Sequence, residues 1–149
     1  MTTKPSTLQP RLIVSDAARA IEFYAQALGA ELRSRFTDAS RGGKTIHAEL
    51  AIGDAIFSLA DENRPWHNVA PPALGGSPVI LTLEVADAHA TGARLERAGA
   101  KVIFPIADQF YGRREGRLVD PFGHIWIITQ LREVLSDQEI QRRVDDWAG

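Results

Sequence analysis

The chain contains one structural phrase written twice. Residues 12–32 read LIVSDAARAIEFYAQALGAEL, and residues 83–102 read LEVADAHATGARLERAGAKV. Each copy has a short apolar run, an Asp, an alanine-rich stretch, then Gly-Ala and a charged residue. A duplication constrains the fold more than any single motif, because two different sets of side chains must suit one backbone path. Asp16 and Asp87 stand where a helix N-cap belongs, since their carboxylates can accept from the first free helix N–H groups. Beyond them, Ala20, Ile21, Tyr24 and Leu28 share one helical face, and Ala88, Leu95 and Ala98 share another. Gly29 and Gly99 are predicted to stop these helices in the left-handed conformation.

The parallel extends past the helices. Residues 44–60, KTIHAELAIGDAIFSLA, alternate around Gly53-Asp54, a two-residue hairpin turn. Residues 116–129, GRLVDPFGHIWIIT, carry the matching turn at Pro121 and Gly123. Each half therefore reads as strand, helix, strand, strand, strand, which predicts an α+β class with two βαβββ modules. The expected boundaries are residues 1–61 and 78–131 for the modules, a Pro- and Gly-rich linker over 62–77, and a C-terminal helix over 132–149. That helix opens with a capping box, Ser136 with Glu139, and carries an apolar stripe at Ile140, Val144 and Trp147.

Strand alternation sorts the side chains of the first hairpin. If Ile52 opposes Ala55, Glu49 opposes Ser58 and His47 opposes Ala60. Ile46, Ala48, Leu50, Phe57 and Leu59 then form a wholly apolar face for the helix. His47, Glu49 and Ser58 fall on the other, mixed face. In the second module, residues 108–126, DQFYGRREGRLVDPFGHIW, bring carboxamide, phenol and guanidinium groups close together at Gln109, Tyr111, Arg113 and Arg114. Arginine binds carboxylate or phosphate through paired hydrogen bonds, so this group suits a small anionic or polar-aromatic ligand. Trp126 is expected against a helix, and His124 against its own turn.

Composition closes off several alternatives. The 149 residues carry a net charge of −2 and no cysteine, which removes thiolate chemistry, disulfides and any strong basic field for nucleic acid or anionic lipid. No apolar run approaches the roughly 20 residues of a membrane span, and the polar start MTTKPSTLQP lacks a signal-peptide core. A cytoplasmic protein without nucleic-acid or membrane partners is expected.

The duplicated unit, together with SDAARAIEFYAQALGAEL, IHAELAIGD, GGSPVILTLEVADAHA and DQFYGRREGRLVDPFGH, resembles the vicinal oxygen chelate superfamily of glyoxalases, bleomycin-resistance proteins and extradiol dioxygenases, and within it the PhnB-like branch. The resemblance covers about residues 9–129. It implies that the two modules form a curved, half-open barrel, that the chain pairs as a homodimer, and that a small-molecule ligand occupies the concave sheet. It also implies metal-ligand positions near Gln9, Ser58, Ile80 and Ile127. Isoleucine cannot ligate a cation, so no cofactor is expected at the usual place. A displaced divalent-metal site built from Gln9, His47, Glu49 and His124 is the alternative.

Two functions follow. In the first, a glyoxalase-like lyase or isomerase acts next to a carbonyl, with His47 or Glu49 as the catalytic base and Gln9, Ser58, Gln109, Tyr111, Arg113 and Arg114 binding the substrate. In the second, a metal-free protein sequesters a small molecule or antibiotic without catalysis.

Overall fold

In the computed structural model, which describes residues 6–149, one unit runs to Gly75 and a second spans Gly76–Gly149. The first holds β1 (Arg11–Val14), α1 (Ala17–Leu28), β2 (Glu31–Asp38), β3 (Lys44–Ile52), β4 (Ala55–Asp61) and the short α2 (Pro71–Leu74). The second holds β5 (Ile80–Glu84), α3 (Ala88–Arg97), β6 (Lys101–Asp108), β7 (Arg113–Val119), β8 (Ile125–Leu131) and α4 (Asp137–Ala148). The sheets are ordered β1-β4-β3-β2 and β5-β8-β7-β6. In each, the first strand runs parallel to the last and the remaining pairs are antiparallel. The fold is thus α+β, two mixed four-stranded sheets with one βαβββ unit each and a C-terminal helix, and neither sheet closes on itself.

The repeated Asp does what its position predicts. Asp16 accepts from the Arg19 N–H at 3.1 Å and Asp87 from the Ala90 N–H at 3.0 Å. A second acceptor reaches each helix start from the end of the last strand of the same sheet. Asp61 takes the Ala17 N–H at 2.8 Å, and Gln130 takes the Ala88 N–H at 3.0 Å. Two of the free donors of each helix end are thereby satisfied, and the helix is fixed to its own sheet. Gly29 closes α1 at φ 67° with bonds back to Ala25 and Tyr24. In the second unit Ala98 caps α3, and the positive φ, 115°, falls one residue later on Gly99.

Each unit has its own core. In the first, Val14, Ala20, Tyr24, Leu50 and Leu59 are fully buried, and Tyr24 meets Phe57 edge-on with ring centres 5.5 Å apart. In the second, Leu95, Leu118, Trp126 and Ile128 fill the space between α3 and its sheet. Burying each large side chain of this kind stabilises by about 1.5–3 kcal/mol.

The segment expected as a linker carries a 3₁₀ turn at Arg64–Trp66 and then α2. Helix α4 begins with the Ser136 cap on the Glu139 N–H, at 3.1 Å. None of its residues is fully buried. Its anchorage is Trp147 stacked on Phe110, 5.7 Å between ring centres, and Arg143, which reaches the Phe110 carbonyl at 2.8 Å and Glu133 at 2.9 Å. Among the described residues, no helix is long and apolar enough to cross a membrane.

Candidate functional site

Register decides which polar side chains share a face. In the first sheet, Arg11 pairs with Ser58, Ser58 with Glu49, and Glu49 with Ser34. The hairpin pairings Ile52–Ala55 and Glu49–Ser58 are those predicted. The apolar face carries Ala48, Leu50, Phe57 and Leu59, all buried. On the mixed face His47 and Glu49 are half-buried and Ser58 is 6% exposed. Gln9 is exposed in the segment before β1.

Arg11, absent from the expected set, determines what His47 can do. Its Nη2 lies 2.8 Å from His47 Nδ1, and its Nη1 donates to the Ile46 carbonyl at 3.3 Å. Guanidinium has donors only, so Nδ1 must accept and a single ring proton sits on Nε2. The Phe36 ring stacks on the imidazole at 6.1 Å between centres. His47 thus presents an N–H donor, with its lone pair already used. The carboxylate of Glu49, which has no side-chain hydrogen bond or ion pair to any described residue, is a group on this face able to accept a proton.

In the second sheet, Thr82, Ile127, Arg117 and Phe104 align across the strands, as do Glu84, Thr129, Glu115 and Ala107. Alternation along β7 puts Arg113, Glu115 and Arg117 on one face and Arg114, Gly116 and Leu118 on the other. Of the expected ligand-binding group, Arg113 and Arg114 are therefore parted. Arg114 pairs with Asp108 at 2.7 Å, and that bond holds the Asp108 carboxyl below the usual range. Arg113 pairs with Glu84 at the exposed end of the sheet. Gln109 and Tyr111 do come together, in a cleft of about 360 Å³ with Phe104, Glu115, Arg117 and Ile127. The Tyr111 hydroxyl donates to Glu115 Oε1, and Gln109 Nε2 donates to the Glu115 carbonyl at 3.2 Å. Burial, then the Glu115 contact, pushes the Tyr111 phenol upward, so it stays a donor.

Two polar atoms on this face are buried without a partner among the described residues, Arg117 Nε and Thr129 Oγ1. Such atoms are uncommon in folded proteins and are places where a water or a ligand atom can complete the hydrogen bonding. A second cleft, about 400 Å³, lies between α3 and β6, but its walls are mainly apolar and only His89 and Glu96 bring charge or proton chemistry. The sequence reading missed Arg117, although three alternate charged residues, Arg113, Glu115 and Arg117, were a visible signal.

The metal positions implied by the resemblance do not suit an ion. Ile80 pairs with Ile125, and Ile127 lies between Thr82 and Arg117. Two of the four positions offer no donor atom, and a fixed cation adjoins one of them. Among the described residues, no group of three or more His, Asp or Glu side chains is gathered for a metal. Of the displaced set, His47 has Nδ1 committed to Arg11, and His124 sits in the β7–β8 turn with its backbone N–H on Asp120, 3.0 Å away.

Known proteins share this fold. The chain is 40% identical to the Mycobacterium bovis protein Mb0911c over 135 residues, 88% of each chain. Its fold matches that of the fosfomycin resistance protein FosX from Listeria monocytogenes, with a TM-score of 0.68 at 13% identity, over 93% of this chain and 99% of that one. It also matches the PhnB protein from Bacillus cereus, with a TM-score of 0.64 at 20% identity, over 84% and 99%. At such identities the structural likeness speaks for the fold alone. The family profile described as Glyoxalase/Bleomycin resistance protein/Dioxygenase superfamily spans residues 7–128, both βαβββ units included. By that match and by its duplicated fold, the chain belongs to the glyoxalase/bleomycin resistance protein/dioxygenase superfamily.

Proposed function

We propose that the protein binds a small organic molecule on the polar sheet face of its second unit, without a divalent ion at the superfamily's usual position. The observation that supports this most is the cleft of about 360 Å³, whose polar lining is Gln109, Tyr111, Glu115 and Arg117 and whose apolar lining includes Phe104 and Ile127. That mixture of a few directed polar groups with apolar walls is the usual composition of a ligand site. As part of the same proposal, the protein acts as a cytoplasmic homodimer, which sedimentation equilibrium would read.

A thermal-shift screen tests the reading. The panel holds small organic acids, aromatic and cationic antibiotics, and fosfomycin, with Zn²⁺, Ni²⁺ and Mn²⁺ as separate additions. Stabilisation by an organic ligand and none by the metals is expected. No organic hit, together with a crystal structure in which side chains fill the cleft, would overturn it.

A second reading has one observation in its favour. Glu49 is a half-buried carboxylate with no side-chain partner among the described residues, facing Ser58 across the hairpin. In that reading Glu49, rather than His47, removes a proton next to a ligand carbonyl, and the His47 Nε2–H donates to the oxygen that gains charge. Exchange of the ligand's α-hydrogen for deuterium, lost in Glu49→Gln and retained in Glu96→Gln, would support it. Equal exchange in both variants would rule it out.

A further inference from the structure

Arg117 is unlike the arginines around it. Arg113 holds Glu84, Arg114 holds Asp108, and Arg143 holds Glu133 and Glu139. Arg117 has no ion pair among the described residues, and its Nε is buried with no acceptor in reach. Its guanidinium lies over the Phe104 ring, 5.4 Å from the centre. A partly desolvated cation without a counter-charge is costly, and leaving one in place is explicable when a ligand supplies the charge. The ring occupies one face of the guanidinium plane, and the edge of the plane is the part that forms paired bonds to a carboxylate.

The neighbours narrow the anion further. Glu115 lies two residues away on the same face, and its carboxylate accepts the Tyr111 hydrogen bond instead of pairing with Arg117. A second negative charge in so small a cleft repels a dianion more than a monoanion. Phe104 and Ile127 supply the apolar wall for a flat body, and a volume of about 360 Å³ accommodates a one-ring molecule. We propose that Arg117 anchors the single carboxylate of a small aromatic acid, whose ring lies against Phe104 and Ile127. This rests on the cleft being the ligand site and names the class of ligand it takes.

Three one-ring probes separate the possibilities: phenylacetate, phenylacetamide and phenylphosphonate, each titrated into the full chain by calorimetry, at a pH above neutrality where the phosphonate is a dianion, and followed by backbone amide NMR. Phenylacetate is expected to bind at least about tenfold more tightly than the neutral amide, with shifts in β6, β7 and residues 109–112. Arg117→Gln should abolish that preference, and Arg117→Lys should keep part of it, because the charge survives and the fork does not. Glu115→Gln should raise the affinity for phenylphosphonate relative to phenylacetate, an independent readout should Arg117→Gln fold poorly. Amide and acetate binding equally, or a preference that survives Arg117→Gln, removes the anchor while leaving the cleft as a ligand site. Phenylphosphonate binding more tightly than phenylacetate to the unaltered protein overturns the monoanion class. No response to any probe at millimolar concentration overturns the aromatic-acid proposal, whereas the wider screen decides whether the cleft binds anything.

Discussion

Asp120 shows how much one carboxylate can hold. Its Oδ1 accepts from the Phe122 and His124 N–H groups at 2.9 and 3.0 Å, and its Oδ2 accepts from the Trp126 indole at 2.9 Å. It is 4% exposed, so losing it leaves buried donors unpaired. Asp120→Ala should cost roughly 3 kcal/mol in urea unfolding, with a loss of near-ultraviolet signal from Trp126. A cost under about 0.5 kcal/mol, the size of an ordinary surface change, would contradict this role. Arg11→Met tests the other residue-scale claim. In the unaltered protein, ring ¹⁵N spectra of His47 should show the proton on Nε2, and the variant should lose that fixed tautomer. These roles were only partly legible in the sequence. The turn containing Asp120 could be read from its Pro and Gly, but collecting an indole six residues away depends on the β7–β8 pairing. The Arg11–His47 contact joins residues 36 apart through two strand pairings, so local spacing gives no hint of it.

At the scale of elements, close packing in the second sheet leaves little freedom. A Cβ on Gly116 would lie 2.6 Å from the Phe104 carbonyl oxygen and 2.7 Å from the Ile106 nitrogen. Both are backbone atoms of β6 and cannot swing aside. Gly116→Ala should therefore push β6 away from β7 and destabilise by about 2 kcal/mol, with faster hydrogen exchange along β6. Unchanged exchange there would refute the strand-contact argument. Helix α4 depends on charge instead. Hydrogen bonds from Arg142, then Arg143, hold the Glu139 carboxyl down to about 2. Because that value is depressed in the folded chain, the stabilisation is complete above the ordinary glutamate range and is lost as pH falls through about 2. Amide exchange in α4 should quicken over this acid range, and Glu139→Gln should flatten the response. Helices and hairpins were readable because caps, glycines and alternation act locally. The bulged β6, with register shifts after Val102 and Phe104, was not, because bulges answer to the neighbouring strand.

For the molecule as a whole, the duplication is expressed as two sheets of identical topology with different chemistry on the faces turned away from their helices. One carries the Arg11–His47 pair beside Glu49, the other the Arg117 cleft. Phenylacetate should accordingly slow hydrogen exchange in β6, β7 and residues 109–112 and leave β2 and β3 unaffected. Protection confined to β2 and β3 would move the ligand site to the first unit. The repeat announced the architecture because backbone demands are the same in both copies. It concealed the candidate cleft because the polar side chains on the corresponding faces differ between the copies.

Trp147 and Arg143 grip Phe110, the residue immediately before Tyr111 in the cleft lining. The tail of the chain thus acts as a tuning peg behind the cleft wall. Exchanging Trp147 for a smaller side chain should retune, from the back, the preference of the proposed site, with every residue that lines the cleft left in place.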